Sequence, residues 1–175
     1  MRRRLLATAA VILLALSVPA ALDAKSKPFN PKLVAGKWSG TWTNQTFNTT
    51  GTITLQGKLV RKGKAFQFSV DLGGNALGCP DPAPEHTPTI TKGSGKNHWN
   101  AKGFKLNLSS PAYGTFNVSY SQKTQKLTGT GGNPPCAPGV SWTLDGKLTK
   151  SAFTGTVTIT LPSQTATSTI NATRQ

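Results

Sequence analysis

The sequence predicts an all-β protein: an antiparallel up-and-down meander closed into a small barrel of about ten strands, with a β-sandwich as the alternative. Three observations carry this prediction. Apolar and polar residues alternate with period two through almost every segment beyond residue 36, as they do in half-buried strands. Turn clusters rich in Gly, Ser, Lys and Pro separate these segments, so consecutive strands pair antiparallel. No long segment carries the 3.6-residue periodicity of an amphipathic helix.

The elements follow in order. Trp38, Gly40 and Trp42 share one face of the first strand, and Lys37, Ser39, Thr41 and Thr43 share the other. The same alternation gives inward sets Ile53/Leu55, Phe66/Phe68/Val70, Phe104/Leu106/Leu108 and Phe116/Val118/Tyr120. It continues through Val140/Trp142/Leu144, Phe153/Gly155/Val157/Ile159 and Ala166/Ser168/Ile170. Thr50-Gly51-Thr52, Thr128-Gly129-Thr130 and Thr154-Gly155-Thr156 form a short repeat, and a strand glycine suits the bends of a barrel. Nine strands are clear. An antiparallel meander closes on itself only with an even number, so a tenth strand is expected around Thr87–Thr91.

Two segments break the pattern. Residues 72–98 contain Gly73-Gly74-Asn75, then Cys79 among prolines; residues 131–138 contain Gly131-Gly132-Asn133, then Cys136 among prolines. They read as two surface loops tied together, or as the frame of a pocket mouth. The N-terminus reads as a signal peptide over residues 1–24: Arg2, Arg3 and Arg4 precede an apolar stretch from Leu5 to Val18, and cleavage is expected after Ala20 or Ala24. Residues 25–35 are then a lead-in and 36–175 a single barrel domain, secreted to an extracellular or periplasmic space. There Cys79 and Cys136 are expected to form a disulfide.

Cutting after Ala24 removes three of the 20 cations and one of the five acids, lowering the net charge from +15 to +13. Such a chain adheres to anionic surfaces at low salt. Numbering the turns along the meander and alternating them between ends sends Arg61, Lys62, Lys64, Lys92, Lys96, Lys123, Lys147 and Lys150 to one end. The other end receives Asp71, Asp81 and Glu85 and no Lys or Arg.

The first strand resembles that of the calycins, the superfamily of lipocalins, avidins and fatty-acid-binding proteins. Gly36-Lys37-Trp38 fits the lipocalin Gly-x-Trp signature, and Gly40-Thr41-Trp42-Thr43-Asn44-Gln45 is similar to the start of bacterial avidins. The resemblance rests on this strand alone. It implies a calycin-like barrel with a ligand-lined interior, and in avidins the positions matching Asn44 and Asn48 contact biotin. The avidin Tyr and late Asp have no counterpart here, so biotin itself is not implied. In lipocalins the first Trp packs under an Arg from near the chain end, which implies a Trp38–Arg174 pair at the closed end.

Catalysis is not indicated. His86 and His98 have no nucleophile motif around them, and Asp71, Asp81, Glu85 and Asp145 show no spacing that favours a carboxylate pair. The set Cys79, Asp81, Glu85 and His86 fits no metal-ligand pattern, and no cofactor or metal is expected. A lipid-facing barrel is disfavoured because one strand face is Thr, Lys, Ser and Asn. The leading expectation is a secreted, non-enzymatic binding protein with an apolar interior for a small ligand, its wall including Trp42, Asn44, Asn48 and Trp142. The rival is a basic envelope- or matrix-associated protein with a filled core that binds an anionic polymer or membrane surface. Nothing in the sequence specifies a nucleic acid.

Overall fold

The computed structural model describes residues 28–76, 79–81 and 83–175. The expected signal peptide and residues 25–27 of the lead-in lie outside these residues. Twelve strands follow one another: β1 Gly36–Asn44, β2 Thr49–Val60, β3 Ala65–Leu72, β4 Glu85–His86, β5 Ile90–Lys92, β6 His98–Asn100, β7 Gly103–Ser110, β8 Gly114–Ser121, β9 Lys126–Gly132, β10 Ser141–Leu148, β11 Ala152–Thr160 and β12 Thr165–Arg174. All but β4 form one closed ring of eleven, with β1 pairing both β2 and β12, and β2 pairing β3. Full closure leaves the ring without an unpaired edge sheet strand, which is how antiparallel architectures avoid edge-to-edge association.

The ring departs from the expected meander at one place. β3 pairs β5 through Phe66↔Ile90, but β5 pairs β6 in parallel through Thr91↔His98 and Lys92↔Trp99. The expected weak strand is therefore present, as β5 with Thr87 also bonded to β3, where the Thr87 amide donates to the Phe68 carbonyl. A further strand, β6, makes the total odd, and an odd ring closes only with one parallel pair. β6 is only three residues long and two residues separate it from β7, with Trp99 and Phe104 inward on opposite parities of the alternation. Asn100 ends β6: its Oδ1 accepts from the Lys102 amide, folding the chain into a tight turn before Gly103. Trp99 is buried within the ring.

Strand directions define two ends. The base carries the turns at 61–64, 101–102, 122–125 and 149–151 and the end of β12. The mouth carries the turns at 45–48, 111–113, 133–140 and 161–164 and the described residues 73–76, 79–81 and 83–84 of the loop after β3. The base is packed solid. Phe66, Ile90, Trp99, Phe104 and Tyr120 meet there, and Phe29 from the lead-in enters among them. Its ring lies 6.0 Å from Phe66, 6.4 Å from Trp99, 5.9 Å from Phe104 and 6.1 Å from Tyr120, centre to centre. Aromatic pairs of this kind each contribute about 0.5–1.5 kcal/mol beyond burial. The lead-in is held by Gln122, whose Oε1 accepts from the Asn30 amide at 3.1 Å and whose Nε2 donates to the Pro28 carbonyl at 3.4 Å. Residues 28–35 are thus the stopper of the barrel rather than a spacer before it.

Trp38 and Arg174 are direct cross-strand partners at the base, and the guanidinium carbon sits 5.6 Å from the indole centre, within cation–π range. At the mouth, Cys79 and Cys136 form a disulfide with Cα atoms 5.5 Å apart. It ties the long loop after β3 to the loop between β9 and β10.

Candidate functional site

Above the packed base the barrel is hollow. A cavity of about 530 Å³ opens at the mouth and reaches down beside the packed aromatics to Val34, Trp38, Leu148 and Phe153. That volume lies within the range of about 300–1,000 Å³ typical of small-molecule sites. Its wall is built mainly from the inward residues of the alternating strands, among them Ile53, Leu106, Val118, Leu144, Val157 and Ile170.

Glycines make the room. Trp42 faces Gly51 directly across β1–β2, and Trp142 faces Gly131 across β10–β9. A Cβ at Gly51 would stand 2.6 Å from the Trp42 indole, and one at Gly131 would stand 2.2 Å from the Trp142 indole. Each large ring therefore lies against the wall where its partner has no side chain. The Thr-Gly-Thr repeat acquires a spatial meaning from this. At Gly155 a Cβ would come within 3.1 Å of Leu144, again on the inner face.

The sequence-predicted binding residues divide. Trp42, Asn44 and Trp142 line the cavity, and Trp38 reaches its lower part. Trp42 donates from Nε1 to the Gly73 carbonyl at 3.0 Å, fixing the indole beneath the disulfide-tied loop. Asn44 is buried, and its Oδ1 accepts from the amides of Thr46 and Phe47 at 2.9 and 3.0 Å, which shapes the β1–β2 turn. Asn48 does not join the wall. It is exposed in that turn with φ of +52°, a left-handed conformation that asparagine tolerates better than most residues. The position that the avidin comparison matched to a ligand contact thus serves the turn.

Other wall residues were not legible as such. Phe47 stands at the rim, 47% exposed, the one large apolar side chain so exposed among the described residues. Ser168 and Thr87 are buried polar residues on the wall. Ser168 had a signal, a hydroxyl on the inward face of an alternating strand. Glu85 and Tyr113 had none, since both lie in segments read only as loop. Glu85 lines the cavity from β4, which pairs the upper part of β3 through Val70↔Glu85 and Ser69↔His86. Its Oε2 accepts from Ser110 Oγ at 2.9 Å, bridging β4 to the top of β7, and Ser110 Oγ in turn accepts from the amides of Ala112 and Tyr113.

Two buried polar atoms have no hydrogen-bond partner of normal geometry: Tyr113 Oη and Trp142 Nε1. Both belong to cavity-lining residues. Burial raises the Tyr113 pKa to about 12, with the charges of Asp71 and Asp81 adding to it, the Leu72 backbone opposing, and Glu85 contributing last. The phenol therefore stays protonated and able to donate at physiological pH.

Charge is divided between the ends. Arg61, Lys62, Lys64, Lys92, Lys123, Lys147, Lys150 and Arg174 occupy the base or the strand ends leading to it, joined by Lys37, Lys102 and Lys126. Lys96 is a correction: it lies on the barrel's flank. The loop 93–97 turns back along β7, where the Lys96 carbonyl accepts from Asn107 Nδ2 and Asn97 Oδ1 accepts from the Asn107 amide. The parallel β5–β6 connection forces this return. Among the described residues the mouth turns carry no Lys or Arg, and the carboxylates of Asp71, Asp81 and Glu85 stand on that side. The single ion pair among the described residues, Lys126–Asp145 at 3.0 Å, is exposed on the wall away from the mouth.

No protein-family model matches the chain, and no curated protein is similar to it in sequence. Among solved structures, a protein of unknown function of the DUF3598 family from Nostoc punctiforme is similar in fold, with a TM-score of 0.45 and 9% identity. The match covers 85% of this chain and 50% of that one, so this chain spans about half of that protein's length.

Proposed function

We propose that this chain is a secreted, non-enzymatic binding protein that carries a small, largely apolar ligand inside a calycin-like barrel. The observation that supports this reading is the cavity itself: about 530 Å³ of unfilled, apolar interior above a tightly packed base. Protein interiors are normally close-packed, and voids cost stability. A barrel that keeps large rings flat against glycines, leaving the centre empty, is built to be occupied. The disulfide and the signal-like N-terminus support the secreted location. The test is titration with the uncharged fluorophore N-phenyl-1-naphthylamine. One saturable site per chain is expected, weakened at least tenfold in Val157→Phe, whose added ring would enter the cavity. Absence of saturable binding by the unaltered protein overturns the reading.

A second reading has its own support: the basic base anchors the barrel to an anionic polymer or membrane surface with the mouth turned outward. Arg61 and Lys62 both hold positive φ, at +52° and +54°, in the hairpin between β2 and β3. Left-handed backbone costs non-glycine residues about 1–2 kcal/mol each, so this turn keeps its cations where Asn-Gly would be easier. Replacing Arg61, Lys62 and Lys64 by Ser is expected to lower the salt concentration that elutes the protein from heparin. Unchanged elution overturns it.

A further inference from the structure

Resting on the cavity reading, we propose that the ligand is amphipathic, with an apolar body in the barrel and a cationic amine head received by Glu85 and Tyr113 at the upper wall.

The head-group site is built rather than incidental. The ring is thinly closed between β3 and β7, because β5 and β6 are three residues each and pair only the lower parts of their neighbours. Above them β4 covers β3 alone, and β4 and β7 share no ladder. The Glu85–Ser110 hydrogen bond spans this seam, and Tyr113 packs beside it with 1% of its surface exposed. Ser110 is itself buried and fixed by two backbone amides, so it holds the Glu85 carboxylate in one orientation on the cavity wall.

This carboxylate has no cationic partner. The ion pair of the described residues is elsewhere, the mouth turns carry no Lys or Arg, and the adjacent His86 is exposed. A half-buried carboxylate with one hydroxyl donor has unfilled acceptor capacity, which a ligand ammonium would use. Beside it the Tyr113 hydroxyl is buried, belongs to a residue lining the same cavity and makes no side-chain hydrogen bond of normal geometry, the Leu72 backbone being its polar neighbour. A buried hydroxyl without a full partner is costly, and a ligand nitrogen or oxygen accepting from it would remove that cost. The same geometry disfavours a carboxylate ligand such as a free fatty acid, which would bring a second negative charge to Glu85 with no cation near. The protein's positive charge does not reverse this. Apart from Lys96, on the flank beside Asn107, its cations stand toward the other end of strands seven to twelve residues long, at about 3.3 Å per residue, against a screening length of about 8 Å at physiological ionic strength.

The test is displacement of N-phenyl-1-naphthylamine by three ligands sharing one tail, below their micelle concentrations at pH 7: dodecylamine, dodecan-1-ol and dodecanoate. Dodecylamine is expected to bind at least tenfold more tightly than dodecanoate, with the alcohol between. Glu85→Gln should bring the amine and acid within threefold of each other and leave the alcohol within twofold of its original affinity. Tyr113→Phe, which keeps the ring that closes the seam, should weaken both amine and alcohol several-fold. Equal or tighter binding of dodecanoate, or an amine-to-acid ratio unmoved by Glu85→Gln, overturns the head-group assignment while the cavity reading stands on the alcohol. Failure of all three to displace a bound probe overturns the assignment as well, and failure of the probe itself to bind removes the cavity reading beneath it.

Discussion

Deleting the same three carbons at two levels of the barrel should have very different consequences. Ile90 on β5 is fully buried, packs into the aromatic base and lies opposite Phe66. Leu144 on β10 is half-buried on the cavity wall. Ile90→Ala loses the full transfer term of about 1.5–3 kcal/mol and opens a new void costing about 24 cal/mol per Å³. A total of about 3–5 kcal/mol follows for the base. At Leu144 the void already exists, so contacts are missing on one side before the mutation is made. Only part of the transfer term is lost, about 1 kcal/mol. The difference of about 3 kcal/mol corresponds to roughly 6–12 °C in Tm for a domain of this size. Urea and thermal unfolding followed by tryptophan fluorescence, with the disulfide intact, read both quantities. A cost for Leu144→Ala equal to that for Ile90→Ala would refute the division into packed base and hollow upper barrel, since the wall residue would then be as tightly packed as the floor.

Two further outcomes follow from the same structure. Tyr113 is raised to about 12 and Tyr120 is raised in the same direction, both chiefly by burial. A folded-state pKa above the unfolded value near 10 favours the native state while the phenol is neutral, so this contribution is intact below pH 10 and is lost as pH rises toward 12. Ultraviolet titration should show the Tyr113 phenolate forming only in step with alkaline unfolding; ionisation of both tyrosines near pH 10 in the folded protein would contradict their burial. Removing the disulfide by Cys79→Ser with Cys136→Ser frees a loop of 57 residues. In the chain-entropy model this costs about 4 kcal/mol, measurable as a drop in urea midpoint, and a loss below 1 kcal/mol would show that the two mouth loops are already fixed by other contacts.

Strand alternation decided most of this architecture in advance. With side chains pointing to opposite faces at every step, a run such as Phe153-Thr154-Gly155-Thr156-Val157 leaves one choice of inner face. That choice put Trp38, Trp42 and Trp142 inside and left the cations on turns and outer faces. The parity of alternating turns decided that those cations share one end, because a hairpin reverses the chain at every turn whatever the side chains are. Where the local pattern is silent, only the tertiary structure could decide. β6 is three residues long and offers a single inward residue, Trp99, too few for alternation to show, so the local pattern does not announce β6, the parallel pair or the flank position of Lys96. Alternation likewise names the inward residues without saying whether they meet across the barrel. That depends on ring size and on glycines opposite large rings, Gly51 beneath Trp42 and Gly131 beneath Trp142, and hence on non-local register. Glu85 and Tyr113 reach the cavity from segments with no periodicity at all, because a seam in the strand ladder needed a side-chain bridge and a ring to close it.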